Sequence, residues 1–278
     1  MTLTRRAQVE AHIKATPIEG SPVERRAAFR RLAEPGPAGA QERIGGVACR
    51  VFGAGAPVVW LHGGGYMFGD GESHAACAAF LAEAVDGAVI VPEYRCAPEH
   101  LWPAPQEDAL AVLAELGLAT PLVGDSAGGH LALVLATQTQ ARPRALALIS
   151  PNTDRTGRST TRRPNTPSDL MNADAEDARL AEIAFGDRPA QDPEVSPLLG
   201  PLDRLPPLYL AASRAEVLAG DAALLEQAAR ARGVAVTARW YPDLFHMWTL
   251  WPRAMAEARE TLTEVAEHIR AQGGADTA

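Results

Sequence analysis

From residue 44 onward the chain alternates short, nearly continuous apolar runs with stretches of helical periodicity. The runs are "IGGVACRVF", "APVVWL", "GAVIVPEY", "TPLVGD", "ALALIS", "PLYLAAS" and "AVTARWY". Helix-like stretches over 73–85, 105–116 and 127–139 follow the second, third and fourth. Strands that are apolar throughout and separated by helices predict an α/β fold, with a largely parallel sheet covered on both faces. Residues 1–42 differ: they are polar and helix-prone, and "PVERRAAFRRLAE" (22–34) suggests an amphipathic helix with Val23, Ala27, Phe29 and Leu32 near one face. Residues 152–206 interrupt the alternation. They are rich in Thr, Arg, Asp and Pro, with one helix expected near 175–185, and such an insertion reads as a lid, a small cap or a surface excursion.

Composition narrows the class. The 278 residues, 47% of them hydrophobic, fit one large α/β unit with a real core. A net charge of −8 argues against a general binder of nucleic acid or anionic membrane, which needs a basic surface. Cys49, Cys77 and Cys96 have no C-x-x-C spacing and read as reduced thiols of a cytoplasmic protein. The opening "MTLTRRAQVEAHIK" lacks the apolar segment of a secretory signal, and no apolar stretch approaches the ~18 residues of a membrane span. The expectation is a soluble, cytoplasmic protein.

The chemistry starts at "PLVGDSAGGH" (121–130), where Gly124-Asp125-Ser126-Ala127-Gly128 fits G-x-S-x-G between an apolar strand and an Ala/Leu-rich helix. A serine in a sharp strand-to-helix turn stands exposed, and small neighbours let the two elements pack closely. The helix start aims N–H groups and a positive partial charge at it. An ordinary glycine-rich βα turn is the competing reading; the flanking elements favour a nucleophile. Seven histidines compete for the base. His12 and His268 lie in polar, helical surroundings and read as solvated, and His130 sits one turn past Ser126 on the same helix. His246, in "YPDLFHMW", satisfies the order serine, acid, histidine with a strand in front of it. The acid should follow "LYLAAS". Glu216 stands near the strand end, Asp221 fits the N-cap of the next helix, and Asp243 is closest in sequence to His246. Glu216 is favoured and Asp221 stays open.

Upstream, "WLHGGGYMFGDG" (60–71) is dense in glycine behind a strand. It lacks the Lys-Ser/Thr pair of a P-loop and the G-x-G-x-x-G spacing, so a phosphate cradle is not expected. Its position fits a loop whose main-chain N–H groups reach a carbonyl oxygen, with His62 as a structural anchor.

Taken together these residues resemble the hormone-sensitive-lipase family of α/β-hydrolases, specifically its bacterial carboxylesterases. The motifs occur in that family's order: "HGGGY" at 62–66, "YRCAPEH" at 94–100, "GDSAGG" at 124–129, "VSPL" at 195–198, "AEVLAGD" at 215–221 and "LFHMW" at 244–248. The resemblance implies an α/β-hydrolase fold, a mostly parallel central sheet flanked by helices, with a helical cap. The cap would comprise residues 1–42 and about 152–206, the latter inserted in a catalytic domain over 43–278. The resemblance makes Ser126 the nucleophile and His246 the base; Glu216 fills the leading position of the acid motif, similar to members with glutamate in place of the commoner aspartate, and the acid stays open between Glu216 and Asp221. One extra residue separates Leu218 from Asp221 relative to the common spacing. It assigns the N–H groups of Gly63, Gly64 and Ala127 to an oxyanion hole.

The implied activity is hydrolysis of short- to medium-chain carboxylic esters through an acyl-enzyme. The substrate would be a small-molecule ester, with no cofactor, metal, nucleic-acid partner or stable membrane insertion, and a homodimer is an open assembly. Tyr66, Phe68 and Trp248 are expected to line the substrate pocket, with loop packing as the alternative for Trp248. Arg155, Arg158, Arg162 and Arg163 read as a solvated face of the cap rather than a funnel for acidic esters. The rival activities are a lactonase or amide hydrolase with the same residues, and a non-catalytic small-molecule receptor on the same fold. Known receptors of that kind lack the histidine that is present here as His246.

Overall fold

The computed structural model describes residues 3–273; residues 1–2 of the expected cap and 274–278 of the expected catalytic domain lie outside the described residues. Two helices come first, α1 (Arg6–Ala15) and α2 (Pro22–Leu32). Pro22 opens α2 at a position where its missing N–H is no loss, and Ser21 and Glu24 cap one another's backbone N–H groups. The buried face of α2 is Ala28, Phe29 and Leu32, whereas Val23, expected beside them, is 70% exposed. Nine residues separate Val23 from Leu32, about two and a half helical turns, so the two lie on opposite sides.

Among the described residues eight strands follow: β1 (Ala40–Ile44), β2 (Val47–Gly53), β3 (Pro57–Leu61), β4 (Ala88–Pro92), β5 (Leu122–Asp125), β6 (Leu146–Ile149), β7 (Leu208–Ser213) and β8 (Val236–Tyr241). They form one sheet in the order β1-β2-β4-β3-β5-β6-β7-β8. β1 and β2 are a hairpin closed by Gly45-Gly46, both at positive φ, as a two-residue turn that follows the strand twist requires. β2 pairs antiparallel with β4, and every neighbouring pair from β4 to β8 is parallel. β1 ("AQERI") has no apolar run because its first four residues are exposed at the sheet edge. The expected boundary at 42/43 therefore falls inside a strand, and the sheet begins at Ala40.

Helices α3 (Ala75–Val85) and α9 (Ala256–Ala271) cover one face of the sheet. Helices α4 (Ala104–Leu116), α5 (Ala127–Gln138) and α8 (Ala219–Ala231) cover the other. Val9, Phe29 and Leu32 carry α1 and α2 into the same apolar layer as Leu81 of α3 and Leu262 of α9. The insertion after β6 holds a short helix, α6 (Arg162–Asn165), and a longer one, α7 (Asp174–Phe185). The three cysteines are free, and burial pushes the thiols of Cys49 and Cys96 up to about 12, which leaves them poor nucleophiles. No described helix is long and apolar enough to cross a membrane.

Candidate active site

Ser126 stands in the turn between β5 and α5 with φ 54° and ψ −119°, a left-handed conformation that a residue with a Cβ adopts only under constraint. The constraint is close packing. A Cβ on Gly128 would fall 1.9 Å from the Leu61 carbonyl oxygen, and one on Gly124 would fall 2.4 Å from that of Gly128. The turn is fixed from outside as well. Ser126 N–H donates to the Ile149 carbonyl (3.0 Å), and the Ser126 carbonyl accepts from Asn152 N–H (3.2 Å).

Glu216 follows β7 and His246 follows β8, neighbouring parallel strands that both end on the Ser126 side of the sheet. His246 Nδ1–H donates to Glu216 Oε2 at 2.9 Å, and Glu216 Oε1 accepts from Ser213 N–H at 2.8 Å. A carboxylate can only accept, so Nδ1 carries the proton and Nε2 presents a lone pair. Nε2 is buried and has no hydrogen-bond partner among the described residues. Burial opposes charge on the ring, but Glu216, then Asp169 and Asp125, outweigh it and raise the His246 pKa above its ordinary value.

The other candidate acids are elsewhere. Asp243 is at the surface, paired with Arg6. Asp221 is not an N-cap: it is the third residue of α8, fully buried, accepting from Thr153 N–H, Asp154 N–H and Arg162. It anchors the chain that leaves β6. Arg162 also meets Asp177, as does Arg155, so these two arginines belong to a buried ion-pair network. The expectation of a solvated arginine face holds for Arg158 and Arg163, which are exposed, and fails for Arg155 and Arg162. His12 and His268 are half-buried rather than solvated, each bonded to a backbone carbonyl.

The glycine loop needs a correction of register. Gly63 N–H already donates to Asp125 Oδ1 (3.1 Å), a carboxylate that also accepts from Trp60 Nε1–H (2.8 Å) and meets His74 Nε2 (3.2 Å). The Gly63 N–H is thereby engaged and, contrary to expectation, is not free to meet an oxyanion. The N–H groups of Gly64, Gly65 and Ala127 have no partner among the described residues, and Gly64 and Gly65 border the cavity beside Ser126. His62 lies outside that cavity, stacked on Tyr94 with ring centres 4.0 Å apart, and Tyr94 O–H donates to the His62 carbonyl (2.5 Å). Burial, and the nearby His74, lower its pKa to about 4, which keeps it neutral in an anchoring role.

The cavity holding Ser126 and His246 has a volume of about 540 Å³, within the usual range for small-molecule sites. Of the three residues expected to line it, only Phe68 does. Tyr66 turns away and shares a 2.6 Å hydrogen bond with His130 Nδ1 amid Trp102 and Phe185. Trp248 is fully buried, bonded to Thr261 Oγ1 through Nε1 and edge-on to Tyr241, so it packs the loop. The apolar wall comes instead from Ile13, Ile18 and Phe29 of the N-terminal segment and from Leu170, Met171 and Leu180 of the insertion. Only Phe29 had a hint in the sequence, as the apolar face of a helix with nothing assigned to it.

Asp169 carried no motif. Its Oδ1 accepts from the backbone N–H of His246 (3.0 Å) and Met171 (3.1 Å), and its Oδ2 from that of Val217 (2.9 Å). Asp169, Glu216 and His246 bring three possible metal-ligand atoms within 4.8 Å of one another. Both carboxylates are committed to N–H donors on both oxygens, so this donor set reads as a hydrogen-bonded scaffold.

Residues 58–250 match a family described as having the alpha/beta hydrolase fold. An acetyl-hydrolase of Streptomyces hygroscopicus is 33% identical over 230 residues, covering 79% of this chain and 77% of that protein. The esterase LipU of Mycobacterium tuberculosis is 32% identical over 234 residues, covering 78% of each. Among solved structures, an esterase from the bacterial hormone-sensitive lipase family superposes with a TM-score of 0.88 at 26% identity, over 96% of this chain and 98% of that one.

Proposed function

The chain belongs to the hormone-sensitive-lipase branch of the α/β-hydrolase family, and from that premise we propose that it is a serine carboxylesterase acting through Ser126, His246 and Glu216. Ser126 Oγ attacks the ester carbonyl carbon while His246 Nε2 takes its proton; the imidazolium then protonates the leaving alcohol. The same nitrogen activates the water that frees the acid and regenerates Ser126. Glu216 holds the tautomer and steadies the imidazolium. The N–H groups of Gly64, Gly65 and Ala127 receive the oxyanion, a contribution of about 2.7–4 kcal/mol per donor in comparable sites.

One observation carries this reading: an oriented imidazole whose Nε2 has no partner among the described residues lines the same cavity as a strained serine and two glycine N–H groups that are likewise unpartnered there. A 540 Å³ cavity that sets Ile13, Ile18, Phe29, Leu170 and Met171 beside polar groups such as Arg25 and Glu176 has room for short- to medium-chain acyl groups, and an acetyl-hydrolase among the relatives supports the short end of that range. We take α1, α2 and residues 152–206 as the cap of a catalytic domain that starts at Ala40. Three free cysteines support a cytoplasmic site, and the outer edge of β8, which has no strand beside it among the described residues, supports a homodimer, which light scattering would test.

The deciding experiment combines labelling with turnover. Phenylmethylsulfonyl fluoride should modify Ser126 and stop hydrolysis of p-nitrophenyl acetate, and Ser126→Ala and His246→Ala should each abolish turnover in a folded protein. A folded wild type that neither labels nor turns over would refute the enzyme reading in favour of a receptor. Rates on N-formylkynurenine or a lactone far above those on the esters would move the activity to an amidase or a lactonase.

A further inference from the structure

The base and the acid of the proposed triad sit on separate loops after β8 and β7, and the β7–β8 ladder, which ends with Arg214 N–H on the Tyr241 carbonyl, stops short of both. One side chain bridges them. Asp169 comes from the segment between α6 and α7, outside both loops, and is almost fully buried. One oxygen accepts the N–H of His246 and the other accepts the N–H of Val217, the residue next to Glu216. We infer that Asp169 is a positioning residue for the reaction: its carboxylate straps the His246 loop to the Glu216 loop and thereby sets the 2.9 Å contact between them. This inference rests on the assignment of His246 and Glu216 above.

The strap has a second consequence. Its neighbours Leu170 and Met171 line the cavity, and Met171 N–H is bonded to the same Asp169 oxygen that holds His246. The wall against which substrate rests and the backbone of the base therefore share one anchor. Loosening it displaces the imidazole from the reacting oxygen, and a displacement of about 1 Å can cost roughly a hundredfold in rate.

Charge provides a readout that a purely structural role would not move. The charges that reach the imidazole are Glu216 from the loop after β7, bonded to it, and more remotely Asp169 from the insertion and Asp125 from the end of β5, all carboxylates that favour the protonated ring. Removing the charge of Asp169 lowers the His246 pKa. The base works only when neutral, so the acid limb of the activity profile moves to lower pH.

The test is Asp169→Asn and Asp169→Ala in the full chain, with kcat and KM for p-nitrophenyl acetate measured from pH 5 to 9. Asparagine keeps one acceptor for His246 N–H but turns an amide donor toward Val217 N–H. The expected result is a fall in kcat of about tenfold to a hundredfold, KM within about threefold, and an acid limb lowered by about one unit. Asp169→Ala should lose more, with asparagine as the partial rescue; if the alanine variant does not fold, Asp169→Asn decides alone. A folded Asp169→Asn with unchanged kcat and an unchanged limb would overturn the inference while leaving the esterase reading intact. An inactive wild type would overturn that reading, and this inference with it.

Discussion

Replacing Glu216 by glutamine removes a charge and almost no volume, and the two contacts of the carboxylate leave the amide no good orientation. If the amide oxygen faces His246 Nδ1–H, the NH₂ group faces Ser213 N–H across 2.8 Å, two buried donors in opposition. An unmet buried donor costs about 1–3 kcal/mol. If the amide flips, Ser213 is satisfied, but NH₂ now faces Nδ1, which must become the acceptor. The proton then sits on Nε2 and the base is lost. The flipped form is thus favoured by about 1–3 kcal/mol, leaving roughly one molecule in six to one in 160 with a usable tautomer. The imidazolium also loses a charged partner, worth about 1.5–3 kcal/mol for such a hydrogen bond. Together these are about 2.5–6 kcal/mol of barrier, or a kcat loss of roughly 10²–10⁴. The assay is kcat for p-nitrophenyl acetate at pH 8, with thermal unfolding to show that the variant is folded. A folded Glu216→Gln within tenfold of wild type would refute the assignment of Glu216 as the orienting acid.

Asp221→Asn should show the converse pattern, because Asp221 holds Arg162 and the chain after β6 rather than His246. Breaking a buried pair by removing one charge typically costs about 3–5 kcal/mol, so denaturant midpoints should fall while kcat stays within about tenfold. Equal loss of activity in Asp221→Asn and Glu216→Gln would contradict the division of roles. Gly64→Ala would place a Cβ 2.1 Å from the Phe68 carbonyl oxygen, at a backbone φ of +120°. Its kcat should fall by about 10²–10³, as when an oxyanion donor is removed; near-normal turnover would show that the loop's N–H groups are not used. Burial lowers the pKa of His62 to about 4 and of His130 to about 3. The unfolded chain takes up these protons first as pH falls below about 6.5, so their contribution to stability is present above that pH and is lost toward pH 4. The loss is on the order of several kcal/mol, and a urea midpoint that stays flat from pH 7 to 4 would disprove it. His246 has the opposite sign: its raised pKa places the acid limb of activity above 6.5, and its own stabilisation fades as pH rises through that value.

What could be read from the sequence and what could not divide along one physical line. Strands β3 to β7 announced themselves because both their faces are buried, which leaves a continuous apolar run. The turn at Ser126 was legible because its small neighbours are a local steric requirement. β1 was hidden because an exposed edge strand has no burial to encode. The register of the glycine loop was hidden for another reason. Three identical residues cannot reveal which N–H groups are free, and the choice is made by Asp125, 62 positions from Gly63. Asp169 and the Arg155–Asp177–Arg162 network were illegible in the same way, each polar residue acquiring its role from a partner distant in the chain. Trp248 shows the limit for aromatic residues: a loop tryptophan next to a base is equally apolar whether it meets substrate or, as here, Tyr241 and Thr261.

Ile13, Ile18 and Phe29 border the cavity from a segment that precedes every strand. Selection can therefore rewrite which molecules fit without revising the scaffold that performs the chemistry. Exchanging this segment for that of a relative is a compact way to transplant preference, whereas deleting it would also remove Val9, Phe29 and Leu32 from the apolar layer they share with α3 and α9. The reach of the enzyme is thus heritable separately from its reactivity.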